Sequence, residues 1–224
     1  MVDIINWPCS QVRPLNGRYF LRYFDRTAGT SIVGGEQILS SGIARWEIEL
    51  YLPRTFRGDD LRRYEVMVNQ MRGRRNIAAL CICDPYRYGD RNTPRHEPFS
   101  DGTYFSDGTG FMTTQSQDIL TASAVAAGAT TLTINTSPPA IPNMRPGDMF
   151  SHNGFLYRVL TATNPGTITF EPPARRAIPA GASLRTDPPQ IYVRFADNGQ
   201  GARTRELMKW GEATTLSFIE AFDR

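Results

Sequence analysis

Residues 45–52 read Arg-Trp-Glu-Ile-Glu-Leu-Tyr-Leu, and this octet decides the fold class. Trp46, Ile48, Leu50 and Leu52 alternate with Arg45, Glu47, Glu49 and Tyr51, a period of two, so the segment is a strand with one buried and one solvated face. Outward from it, the aromatic-rich run Tyr19-Phe20-Leu21-Arg22-Tyr23-Phe24 reads as a second strand, with Asn16-Gly17 as a turn before it. On the other side the period changes. Leu61, Tyr64, Val68 and Met71 fall at helical spacing, with Asp59 expected as N-cap and Gly73 as the stop. Residues 77–83, Ile-Ala-Ala-Leu-Cys-Ile-Cys, read as a buried strand closed by Asp84-Pro85.

The chain's 224 residues suffice for one large domain or two small ones that fold by burial alone. Its 40% apolar and 21% charged residues are globular averages, and 19 Gly with 16 Pro favour many short strands over a helical bundle. A net charge of +3 is too small to imply dedicated nucleic-acid binding. The longest apolar run, residues 77–83, is far short of a bilayer span of about 20 residues, and the N-terminus lacks a basic region before its apolar stretch, so neither membrane insertion nor export is expected. Three cysteines, with Cys81 and Cys83 two apart on one strand, are expected to be structural thiols in a reducing cytosol, with no disulfide framework.

From residue 118 to 189 the chain becomes poor in charge, with five arginines and four acids among Ala, Thr, Gly and Pro. Short strand-like runs separated by turns predict a small β-barrel or sandwich here. After Pro188-Pro189 two more alternating segments follow: Ile191, Val193 and Phe195, then Leu216, Phe218 and the aliphatic part of Glu220. Without partners nearby, these are expected to pair back with the N-terminal strands. The fold expected is therefore mainly β: a discontinuous β-sandwich with one helix, residues 1–117 and 190–224, carrying an inserted β domain, residues 118–189.

Catalytic chemistry finds little support. The imidazoles, His96 and His152, sit in polar loop sequences with no nucleophile at motif spacing, and no phosphate loop, nucleophile elbow or zinc-protease motif occurs. Catalytic, cofactor-binding and metal-binding residues are accordingly assigned to none. The tandem Phe99-Ser100-Asp101-Gly102-Thr103 and Phe105-Ser106-Asp107-Gly108-Thr109 reads as two tight turns; calcium ligation by Asp101 and Asp107 would need an EF-hand-like oxygen spacing that is missing. Arg54, Arg57, Arg62, Arg63, Arg72, Arg74 and Arg75, against Asp59, Asp60 and Glu65, read as a solvated helix face or an Arg-rich subunit contact. Phe150, Phe155, Tyr157 and Phe170 are spaced as strand-core residues rather than as a sugar-binding platform.

The order of these segments resembles the distal tail proteins of long, non-contractile-tailed bacteriophages. The residues that carry the resemblance are Met144-Arg145-Pro146-Gly147-Asp148-Met149-Phe150-Ser151-His152-Asn153-Gly154, running through Tyr157-Arg158-Val159 to Phe170-Glu171-Pro172-Pro173. The resemblance implies a β-sandwich belt domain in a homohexameric ring, a peripheral β domain, and no catalytic residues. It also implies a location at the virion's tail tip after assembly in the host cytoplasm, with the tail tube, the hub or tip proteins and the tape measure as partners. Alternatives are a tail-tube or tail-completion subunit, and a glycan- or receptor-binding module. In a ring, exposed strand edges are expected to pair between copies, and the loop from Tyr86 to Phe111 is expected to reach a neighbour.

Overall fold

The computed structural model describes residues 2–9, 11–30, 34–54, 58–82, 95–97, 100–107, 111–113, 119–135, 144–163, 166–186, 188–202 and 213–223. In chain order the elements are β1 (Ile4–Asn6), β2 (Asn16–Tyr23), β3 (Arg26–Thr30), β4 (Glu36–Leu39), β5 (Ala44–Leu52), α1 (Gly58–Met71) and β6 (Ile77–Cys81). Then come β7 (Arg95–Glu97), β8 (Phe111–Thr113), β9 (Ile119–Leu120), β10 (Thr131–Thr133), β11 (Met149–His152), β12 (Phe155–Thr163), β13 (Thr167–Glu171) and β14 (Ser183–Leu184). β15 (Gln190–Phe195) and β16 (Thr214–Glu220) complete the series. The chain is mainly β with a single helix among the described residues, in the β-sandwich class expected.

Two compact units result. One is Met1–Cys83 with Ser151–Tyr157 and Pro188–Arg224, the other Asp84–Phe150 with Arg158–Asp187. The chain leaves the first unit at Cys83, not at 117. The physical reason is local: β7 pairs with β8, Arg95 opposite Thr113 and Glu97 opposite Phe111, and contributes no strand to the large sheet. Ser151–Tyr157 returns to the first unit, which the sequence did not suggest.

The first unit is built on a six-stranded sheet ordered β1-β6-β15-β16-β5-β2. Both C-terminal strands lie in its middle, β15 antiparallel to β6 and β16 antiparallel to β5, as the orphaned alternating segments required. β5 alternates as read: Trp46, Ile48, Leu50 and Leu52 are buried, and Tyr51 opposite them is exposed. One row crosses the whole sheet. Ile5 pairs with Ala78, Ala78 with Val193, Val193 with Glu220, and Trp46 with Leu21. The gap in that row, between Glu220 and Trp46, lies one residue past the last β16–β5 rung, where the buried Glu220 carboxylate accepts the Trp46 backbone N–H at 3.1 Å. Phe218 stacks on Phe195 at 5.1 Å and meets Trp7 edge-on at 5.6 Å.

α1 buries Tyr64, Met67 and Met71, while Leu61 and Val68 are half-buried, so the apolar stripe is rotated slightly from the one read in the sequence. Asp59 lies inside the first turn with Asp60, where a negative charge complements the helix dipole, rather than capping from outside. The helix ends at Met71, and the chain turns away through two left-handed residues, Arg72 (φ +48°) and then the expected stop Gly73 (φ +65°). Asn16 and Gly17 also depart from expectation: they pair with Tyr51 and Leu50 inside β2 and form no turn.

Cys9 and Cys81 form a disulfide across 72 residues of sequence. This corrects the reading of structural thiols. The turn after β1, in which Gln11 and Val12 donate to the Pro8 carbonyl, brings Cys9 onto β6. Such a bond is sustained by an oxidising environment.

The second unit holds the pair β9–β14, β10, β13 and the parts of β11 and β12 outside Ser151–Tyr157, the last four strands forming a sheet ordered β10-β13-β12-β11. Phe150 and Phe170 meet edge-on at 5.6 Å in its core, with Ile119, Leu132, Ile168, Ile178 and Leu184. Asn153 (φ +48°) and Gly154 (φ +70°) join β11 to β12 in a two-residue turn whose positive φ values match the twist of a hairpin.

Candidate assembly surface

Among the described residues the sheet has two open edges, β1 and β2. At one, β1 is parallel to β6, and the bonds Ile77 N to Asp3 O and Trp7 N to Ala79 O show that residues 3, 5 and 7 turn their backbone groups inward. By alternation, Ile4 and Asn6 present N–H and C=O to the outside. Beside them runs an open cleft of about 380 Å³, lined by Asp3, Ile4, Ile5, Asn6, Gln70, Arg72 and Asn76. Asn76, only 3% exposed, holds its floor: Nδ2 donates to the Gln70 carbonyl at 2.8 Å and Oδ1 accepts from Asp3 N at 3.3 Å.

At the other edge β2 pairs with β5, and this pair continues past the sheet. After Tyr23 opposite Ala44, Phe24 N donates to Ile43 O, and β3 pairs with β4 from Arg26 opposite Leu39 to Thr30 opposite Glu36. The result is a two-stranded arm. Ile38 is 61% and Leu39 67% exposed although they point to opposite faces, so among the described residues neither face of the arm is covered. Below the arm the solvated face of β2 and β5 carries Arg18, Phe20, Arg22, Arg45, Glu47 and Glu49. Arg18 lies over the Phe20 ring at 4.7 Å and pairs with Glu49 at 3.6 Å; Arg22 pairs with Glu47 at 3.2 Å. Such exposed pairs contribute little stability, about 0–1 kcal/mol each.

The residues singled out in the sequence are scattered. Arg54, Arg62, Arg63, Arg72, Arg74 and Arg75 are exposed, but only Arg62 and Arg63 lie on α1, since Arg54 precedes it and Arg72, Arg74 and Arg75 follow its end at Met71; Arg57 lies outside the described residues. His96 lies on β7, opposite Met112, and His152 is half-buried with Nε2 3.1 Å from Asn153 Nδ2. Phe150, Phe155, Tyr157 and Phe170 are all buried, as strand-core spacing predicts. Asp101 forms a tight turn: its carboxylate accepts from Thr103 Oγ1 at 2.7 Å and Thr103 N at 3.0 Å, which holds its carboxyl below the ordinary range. Among the described residues no cluster of three or more His, Cys, Asp and Glu side chains is assembled, and no helix is long and apolar enough to cross a membrane.

Of the loop from Tyr86 to Phe111, residues 86–94, 98–99 and 108–110 lie outside the described residues. The described ends at Arg95–Glu97 and Phe111 join β7 to β8 in the second unit. The arm at residues 24–43 was missed. Its signal was Gly34-Gly35 between Arg26-Thr27 and Ile38-Leu39, a turn dipeptide between short strand-like runs. No protein-family model matches the chain, and no curated protein matches it in sequence.

Proposed function

We propose that the chain is a structural virion protein that closes into a ring at the distal end of a long phage tail, joins tail tube to tip, and performs no chemistry. The observation that carries this reading is the placement of β15 and β16 in the middle of a sheet whose other strands precede residue 82. The β module is thereby discontinuous and the intervening chain is carried on it, which is the plan implied by the sequence resemblance to distal tail proteins. Two open sheet edges and an uncovered arm give the lateral surfaces that a closed ring of identical subunits needs.

The test is size-exclusion chromatography with multi-angle light scattering, with and without tail-tube protein, followed by negative-stain imaging. Sixfold rings that stack on tubes are the expected result. A chain that stays monomeric under both conditions refutes the reading.

A further inference from the structure

We infer that the Cys9–Cys81 bond is a redox latch on the strap formed by residues 2–9: oxidised, it holds β1 on β6; reduced, it lets the strap leave and makes β6 the edge of the sheet. This does not rest on the ring-forming reading, and a chain that stays monomeric leaves it standing. The strap buries little. Val2, Asp3, Ile4 and Asn6 are exposed, Ile5 is half-buried, and Trp7 alone is buried, edge-on to Phe218. β1 has three residues and the one parallel pairing in its sheet, the weaker kind of ladder. Its flank lines the open cleft, and Asp3 N reaches Asn76 Oδ1 only at 3.3 Å.

One indole and a short edge ladder resist release, and the backbone freedom that the strap regains favours it. The disulfide cancels that gain, because Cys9 sits past the ladder and is pinned to Cys81, the last residue of β6. Both cysteines are half-buried, so a thiol from solvent reaches the bond. The step is thiol–disulfide exchange. A thiolate of glutathione or of a dithiol attacks one sulfur and a second thiol resolves the mixed disulfide; two electrons and two protons pass to the protein, leaving Cys9 and Cys81 as thiols and the reductant as a disulfide. Release uncovers the backbone of Ile77, Ala78, Ala79 and Leu80, each at most 2% exposed in the closed form, as an apolar edge open to strand addition. Redox state thus selects which strand ends the sheet.

The experiment follows hydrogen exchange by NMR in protein carrying isotope-labelled tryptophan, first oxidised and then in millimolar reduced glutathione. Trp7 reports the strap: its backbone N–H donates to Ala79 O at 3.1 Å and its indole to Val12 O at 3.4 Å. Trp46, bonded to the Glu220 carboxylate and the Leu156 carbonyl, reports the body of the unit. The ratio of Trp7 to Trp46 exchange rates is expected to rise on the order of 100-fold on reduction and to return with glutathione disulfide. Cys83→Ala should keep the switch, and Cys9→Ala should show the reduced ratio without reductant. An unchanged ratio overturns the inference, because the bond then stabilises the unit only as a whole. So does a bond that glutathione leaves intact in the folded protein, or a Trp46 signal that collapses together with that of Trp7. The wild-type samples decide the question alone if Cys9→Ala does not fold.

Discussion

Removing the Cys9–Cys81 disulfide should destabilise the first unit strongly. The bond closes a loop of 72 residues. The chain-entropy relation gives about 4 kcal/mol for a loop of that length at 25 °C, a large fraction of the roughly 5–15 kcal/mol that stabilises a domain. In a unit of this size the loss corresponds to a fall in melting temperature of about 10–15 °C. Thermal unfolding by circular dichroism with and without reductant reads it directly. Cys9→Ala, Cys81→Ala and the double variant should each lose the same amount, because the cross-link is lost once. Thiol titration in denaturant without reductant should find one free thiol, Cys83, and none in Cys83→Ala. Three titratable thiols, or a transition unmoved by reductant, would refute the argument.

Trp46→Phe should cost about 2–4 kcal/mol in denaturant unfolding, since it empties part of a fully buried site and removes the 2.8 Å bond from Nε1 to the Leu156 carbonyl; a loss below about 1 kcal/mol would contradict it. Gly201 has φ +86°, and a Cβ there would meet Val68 Cγ1 at 2.7 Å, so Gly201→Ala should cost about 2–3 kcal/mol. Val68→Ala should recover the steric part but not the backbone part, and a double-mutant cycle showing no coupling would sink the explanation. The Asp197 carboxylate accepts from Gln200 Nε2 at 2.7 Å and Gly199 N at 2.8 Å, which holds its carboxyl below the ordinary value. With the folded value depressed, its contribution is present above the unfolded value and lost as pH falls through the folded one. The side-chain resonance should therefore titrate at lower pH than in Gln200→Ala, and equal midpoints would refute this.

How much of this was legible follows from the range of each signal. The alternation of β5 and the helical spacing of α1 depend on neighbours within a few residues, so they appear in the sequence. The return of β15 and β16 was readable by default, because two amphipathic strands lacked local partners. The disulfide was not, since Cys9 and Cys81 meet only after β1 has paired with β6. The arm was hidden for a different reason. Alternation reports burial, and a ribbon exposed on both faces has none to report. A candidate assembly surface is illegible in this sense: the sequence pattern records what one copy buries, and Ile38 and Leu39 are left exposed within it.

The insertion point sharpens what holds the first unit together. Ile82 N donates to Pro189 O at 2.9 Å, so the chain leaves and re-enters on one rung of an antiparallel ladder. Geometrically, residues 83–188 are replaceable by an Asn-Gly hairpin turn. Energetically they are not, because the excised stretch includes Ser151–Tyr157, which belongs to the first unit. Phe155, Leu156 and Tyr157 are at most 3% exposed, and each such side chain contributes about 1.5–3 kcal/mol by burial. Gly154 O also accepts from Tyr192 N at 2.9 Å, and Leu156 O accepts from the Trp46 indole. Losing all of these approaches the whole stability of an ordinary domain, so the deletion chain should close its backbone yet lack a cooperative transition and fixed near-ultraviolet circular dichroism. A deletion chain that melts cooperatively within a few degrees of the parent would show that Ser151–Tyr157 is dispensable, and the first unit would then end at its sheet.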